Sequence, residues 1–178
     1  MYAGLGNPKA KFNVFLENSL PLSPYSTASE VIPVSPGELS AIGQQTSNHW
    51  RKVFNVYAKL LQALYPEEII RWQDYRDDTM LGITSNQSLI YSPVNFQSLP
   101  QDSINIIMGK TYATKQGIAS HCYWDTPDFA VNKSKQIIIC PYFDYRQLTN
   151  EKIKRLAYYI QLITNGNIAP LYYCCSDI

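Results

Sequence analysis

The stretch Gln136-Ile137-Ile138-Ile139-Cys140-Pro141 decides the fold. Four apolar residues run consecutively, three of them β-branched, and a proline stops the run. That pattern reads as a strand buried on both faces, which is the signature of a parallel sheet covered by helices. Ile104-Asn105-Ile106-Ile107-Met108 repeats the pattern and runs into Gly109. Phe12-Asn13-Val14-Phe15-Leu16 is a third short strand of the same kind. Leu81 to Thr84 and Ser88 to Tyr91 are further strand candidates, around a Ser85-Asn86-Gln87 turn.

Helices separate these strands. Trp50, Val53, Phe54, Tyr57, Leu60, Leu61 and Leu64 follow the i, i+3, i+4, i+7 spacing of one buried face, with Ser47 in the N-cap position. Pro66 ends that helix, and a short second helix is expected over residues 67 to 76. Residues 110 to 117 read as a short helical segment closed by Gly117. Thr149 caps a last helix with Ile153, Leu156, Ala157, Ile160 and Ile163 on one face, ended by Asn165-Gly166. Ile168 to Tyr173 reads as a final edge strand, because Pro170 suits an edge. The expected architecture is α/β: a three-layer sandwich with a short, mostly parallel central sheet flanked by helices.

The chain has 178 residues, which fits one domain spanning 1 to 178. Residues 17 to 47 interrupt the pattern, with Pro21, Pro24, Pro33 and Pro36 among many serines, and are expected to form one long loop. Because it follows a strand, this loop is a candidate ligand loop.

Apolar residues make up 46% and charged residues 16%, which excludes a disordered chain. No apolar run is long enough for a membrane helix, and the first residues show no leader pattern, so a cytoplasmic protein without membrane partners is expected. The net charge of +1 confines any nucleic-acid role to a local patch. Fourteen tyrosines suit either a binding surface or a core. Cys122, Cys140, Cys174 and Cys175 form no CxxC pair, and His49 and His121 are the only histidines. No metal and no cofactor is therefore expected, and the cysteines read as buried free thiols.

Three short motifs lack their context. Gly4-Leu5-Gly6-Asn7-Pro8 is similar to the opening of peptidyl-tRNA hydrolases, but no His occurs before His49. Gly109-Lys110-Thr111 is similar to the end of a nucleotide-binding P-loop, but position 104 is Ile where the first glycine is needed. No G-x-S-x-G elbow is present, so a serine hydrolase is excluded. A thiol enzyme built on Cys140 with His121 is a weaker alternative.

A longer stretch carries a resemblance. Ile106-Ile107-Met108-Gly109-Lys110-Thr111-Tyr112-Ala113-Thr114-Lys115-Gln116-Gly117 is similar to the segment of uracil-DNA glycosylases in which a strand ends in Leu-Trp-Gly, followed by a small residue and Ala-Gln-Lys-Lys. Ile137-Ile138-Ile139-Cys140-Pro141-Tyr142-Phe143 occupies the place of that family's strand ending in His-Pro-Ser-Pro. Asp144 to Asn150, followed by the last helix, resembles the family's Phe-Ser-x-x-Asn segment. About sixty residues, from 104 to 164, carry the resemblance. In the first half, Glu17 or Asn18 would stand near the water-positioning residue, with Pro24 and Tyr25 just beyond, and Asn95 would correspond to the asparagine that reads the uracil edge. The helix that the family implies between residues 95 and 104 is missing, because nine residues are too few to form a parallel crossover.

The resemblance implies a uracil-DNA-glycosylase-like fold with a cleft at the carboxyl ends of the strands. It implies the reaction less strongly. Glycosylases extrude a base, read its edge, stack it and activate a water. Cys140, a weak donor, stands where the family has its charge-stabilising His, and Tyr142 stands where it has a small Ser. The implied function is binding of a nucleobase, nucleotide or single-stranded nucleic acid, without efficient glycosylase activity. Asn18, Tyr25, Asn95, Lys110, Cys140, Tyr142, Phe143 and Arg146 would bind the ligand. If the protein is an enzyme, it is a hydrolase of the glycosylase type, with Glu17 or Asp144 as base. A non-catalytic protein-interaction module on the same fold is the alternative, and the oligomeric state is left open.

Overall fold

The computed structural model describes residues 1–173. Cys174 and Cys175 lie outside the described residues. The strands in chain order are β1 (Gly4–Gly6), β2 (Phe12–Phe15), β3 (Val31–Ile32), β4 (Gln87–Ile90), β5 (Ile104–Met108), β6 (Tyr123–Trp124), β7 (Ala130–Asn132) and β8 (Ile137–Cys140). The helices are α1 (Glu38–Gln45), α2 (Asn48–Leu64), α3 (Trp72–Asp78), α4 (Lys110–Lys115) and α5 (Asn150–Thr164). The strands form one mixed sheet in the order β3-β1-β4-β2-β5-β8-β7-β6. The central four, β4, β2, β5 and β8, are all parallel, and antiparallel pairs join β1 to β4, β7 to β8 and β6 to β7.

Alternation along the strands builds two cores. Phe12, Val14 and Leu16, with Ile104, Ile106, Met108, Ile138 and Cys140, face α1, α2, α3 and α5. Phe15, Ile90, Ile107, Ile137 and Ile139 face the opposite way and pack under Val94, Leu99, Tyr112 and Ala113. The expected helical face of α2 is buried throughout, with Trp50, Val53, Phe54, Tyr57, Leu60, Leu61 and Leu64 in the core. Thr149 caps α5 by accepting a hydrogen bond from Lys152 N. Seven tyrosines are core residues, and most have satisfied hydroxyls: Tyr57 donates to Ser88 O at 3.0 Å and Tyr75 to Gln87 Oε1 at 2.6 Å.

Several expected boundaries move. The 17–47 segment contains β3 and α1 rather than one long loop. The second helix is α3, over residues 72–78, and Leu81 to Thr84 form turns instead of a strand. Beyond Ile168, a single bridge between Ser85 and Tyr172 replaces the edge strand. The Gly4-Leu5-Gly6 segment is a strand, and Gly6 needs its missing side chain, since a Cβ would lie 2.4 Å from Gln87 O.

The connection from β4 to β5 crosses β2 without a helix, which corrects the expectation that this span is too short for a parallel crossover. A buried polar row makes it work. Ser88, Asn13 and Asn105 sit side by side in register on β4, β2 and β5. Asn105 Nδ2 donates to Pro100 O at 2.9 Å and Ser103 O at 3.1 Å, which satisfies backbone carbonyls of the crossover. Asn13 Nδ2 donates to Asn105 Oδ1 at 3.4 Å, and Ser88 Oγ donates to Asn13 Oδ1 at 2.7 Å. Val94 and Leu99 of the crossover join the apolar core on the same face.

Replacing Asn105 by Leu keeps the branched shape but strands two carbonyls and the Asn13 amide. Urea unfolding of Asn105→Leu is expected to show a loss of about 3 kcal/mol. A loss below about 0.5 kcal/mol would show that the row does not anchor the crossover.

Candidate functional site

The strand order reverses direction at β2 and β5, since the chain passes from β2 to β4 on one side and then to β5 on the other. Open α/β sheets bind ligands outside the carboxyl ends of strands at such a switch point. A cleft of about 490 Å³ lies there. Glu17 and Asn18 follow β2, Gly109 to Tyr112 follow β5, and Cys140 to Tyr142 end β8. Pro127, Asp128 and Gln147 complete the wall. Gly109 has φ +95°, a conformation open to glycine, and this turns the chain from β5 directly into α4. Its N–H donates to Cys140 O at 2.8 Å, which ties the two strand ends together.

Tyr142 is the most constrained polar group in the cleft. Its hydroxyl lies 2.8 Å from His49 Nε2, and Asn18 lines the same cleft beside it. Burial pushes the Tyr142 phenol up to about 12, so it keeps its proton. Burial also holds the His49 imidazole below its usual value, against the pull of Asp144. The protonated phenol and the neutral imidazole thus form one hydrogen-bonded pair, whose direction follows the imidazole tautomer. His49 was not among the residues the sequence singled out. It opens α2, ninety-three positions from Tyr142, and only the packing of α2 on the sheet joins them.

Charges around the cleft are paired. Glu17 forms an ion pair with Lys115 at 2.5 Å. Asp144 does not line the cleft. It pairs with Lys52 at 3.0 Å, and its Oδ1 accepts the Arg146 N–H at 2.9 Å. That backbone bond, then Lys52, holds its carboxyl below the ordinary range. As placed, Asp144 serves as a turn cap instead of a base facing the cleft. Lys110 stands 4.6 Å from the centre of the Trp124 ring, and Asp128 pairs with Lys152 at 2.9 Å. Arg146 is exposed in the turn before Gln147 and stacks near Tyr145.

Five of the expected residues meet here: Glu17, Asn18, Lys110, Cys140 and Tyr142. Five are placed elsewhere: Asp144 and Arg146 in the turn after β8, and Phe143, Tyr25 and Asn95. Phe143 is fully buried against Tyr57, so it has no face for a base. Tyr25 is buried and hydrogen-bonds to Glu38. Asn95 caps its own turn by accepting from Ser98 N at 2.9 Å, on the crossover. Cys140 is buried and its thiol is pushed far up by burial, which disarms it as a nucleophile.

Tyr112 adds a feature that the sequence did not signal. It lines the cleft, is 5% exposed, and its hydroxyl has no hydrogen-bond partner among the described residues. Burial, with the Glu17 charge second, raises its phenol to about 12. An unpartnered buried hydroxyl is costly.

A family model described as "Family of unknown function (DUF6942)" matches residues 3–161. No curated protein and no solved structure matches the chain.

Three outcomes follow from this geometry. Tyr112→Phe removes the unpaired hydroxyl and is expected to stabilise the free protein by about 1 kcal/mol, read as a Tm rise of roughly 2–4 °C. A fall in Tm would mean that the hydroxyl has a partner. His49 titrates lower in the folded chain than its ordinary 6.5, so the unfolded chain takes up the proton first as pH falls. Stability is therefore expected to drop below about pH 6.5, and His49→Gln should flatten Tm against pH between 7 and 5. An unchanged slope would remove His49 as the cause. Cys140 should resist alkylation at neutral pH more than Cys122, whose half-buried thiol is raised only to about 11. Faster labelling of Cys140 would revive thiol chemistry.

Proposed function

The chain belongs to the DUF6942 family, and we propose that its cleft binds a nucleobase or nucleotide, free or within single-stranded nucleic acid, without efficient glycosidic cleavage. The observation that carries this reading is Tyr142, held by His49, beside Asn18 and Lys110 in one cleft. An aromatic ring for stacking, an amide for a base edge and a cation for phosphate are the parts that such recognition uses. The segments quoted for the resemblance to uracil-DNA glycosylases follow β5 and β8, and both border this cleft. That supports a diverged glycosylase-like fold.

The same cleft argues against strong catalysis. Base excision needs a group that activates water and a donor for the charge on the departing base. Glu17 is neutralised by Lys115, Asp144 is turned to Lys52, and Cys140 is a poor donor. Binding survives these losses, since stacking and hydrogen bonding need no free carboxylate.

The test is an equilibrium titration at low salt with a labelled single-stranded oligonucleotide containing uracil, followed by an abasic-site incision assay. Saturable binding without incision is expected. Tyr142→Ala should weaken it about ten-fold, the worth of one stacked base, and Lys110→Ala should lower the salt slope by about 0.7. Absence of binding at low salt overturns the reading and favours the protein-contact alternative, for which exposed Tyr123, Tyr145 and Tyr158 offer surface. Abasic-site formation overturns the loss of catalysis.

A further inference from the structure

A second cavity, of about 430 Å³, lies at the other end of the sheet. It is bordered by residues 7–11, which lead into β2, and by Pro100, Gln101 and Ser103, which lead into β5. Its wall includes Asn13 and Ser88, 3% and 1% exposed. Central parallel strands are normally apolar on both faces, so buried amide and hydroxyl groups here need a reason. Asn105 has one in the crossover carbonyls, and Asn13 supplies the donor that Asn105 Oδ1 requires. Ser88 goes beyond that need.

The direction of every bond in the row is fixed from one end. Both N–H groups of Asn105 are spent on carbonyls, so its Oδ1 must face Asn13. Asn13 therefore turns Nδ2 to Asn105 and Oδ1 to Ser88, and the Ser88 hydroxyl must donate. What remains is one Nδ2 hydrogen of Asn13, without another partner among the described residues, and the lone pairs of Ser88 Oγ. A donor and an acceptor thus stand side by side on the wall of a cavity. Tyr2, Val31 and Ile90 add apolar surface, while Lys9, Lys11 and Glu30 are exposed charges of both signs at its rim.

We propose that this cavity is a binding site for a small neutral ligand with an amide edge, whose carbonyl accepts from Asn13 and whose N–H donates to Ser88. A lactam, as in a nucleobase, and a primary carboxamide share this edge. The site is separate from the cleft at the carboxyl ends and does not depend on the function proposed there.

The experiment is a ¹H–¹⁵N titration of the full chain with 2-pyridone (a lactam) and benzamide (a carboxamide), with benzoate as the control that lacks the donor. The Asn13 side-chain amide signals should shift saturably with at least one amide and not with benzoate. The tighter of the two identifies the ligand source. Ser88→Ala should weaken that binding about ten-fold, the loss of one hydrogen bond. Where Ser88→Ala does not fold, intermolecular NOEs between probe ring protons and the Asn13 amide in the unaltered protein decide. The proposal is overturned by no saturable shift from either amide, by an equal response to benzoate, by undiminished affinity in Ser88→Ala, by shifts confined to Asn18, Lys110 and Tyr142, or by absence of those NOEs.

Discussion

The hydrogen bonds from Asn105 to Pro100 O and Ser103 O are the constraint on which the rest depends. A parallel crossover is normally built with a helix, because a helix satisfies its own backbone while burying an apolar stripe. The span from β4 to β5 has no helix, so its carbonyls need partners from the sheet beneath. Asparagine on a central strand provides them, at the cost of a polar row that Asn13 and Ser88 then complete. With the crossover held down, β5 lies directly beside β2, and β8 beside β5. That adjacency brings residues 17–18, 109–112 and 140–142 to one edge.

The cleft formed there is polar but electrically quiet. Each carboxylate at or near it has a cation: Glu17 has Lys115, Asp128 has Lys152 and Asp144 has Lys52. The groups left to meet a ligand are neutral or singly cationic: Asn18, Tyr142 and Lys110. Such a set recognises shape and hydrogen-bond pattern better than it moves protons. His49 fits this role. Desolvation favours its neutral form, and its hydrogen bond orients the Tyr142 hydroxyl.

The strands β2, β5 and β8 and the helices α2 and α5 were legible because their signals are local. An Ile-rich run needs only its own residues to be read as a buried strand, and the i, i+3, i+4, i+7 stripe of α2 is visible in eight or nine residues. Gly4–Gly6 and Val31–Ile32 were not legible as strands. Their pairing depends on a neighbour at 2.4 Å from a would-be Cβ in one case, and on two residues in the other. Glu17, Asn18, Lys110, Cys140 and Tyr142 were legible as site residues because position after a strand implies the carboxyl edge. Tyr25, Asn95 and Phe143 show the limit of that rule. The chain leaves the edge within a few residues of a strand end, and burial then takes the side chain elsewhere.

The sequence by itself determined the class of fold and the strand ends that carry the cleft. These are properties of single segments, set by hydrophobic period and residue type. Only the tertiary structure decided which groups are partnered. Whether Glu17 is free or paired, whether Tyr142 meets His49, and whether the Tyr112 hydroxyl is satisfied all depend on residues far apart in the chain. Hydrogen bonds and ion pairs act over about 3 Å, a distance that sequence separation does not encode.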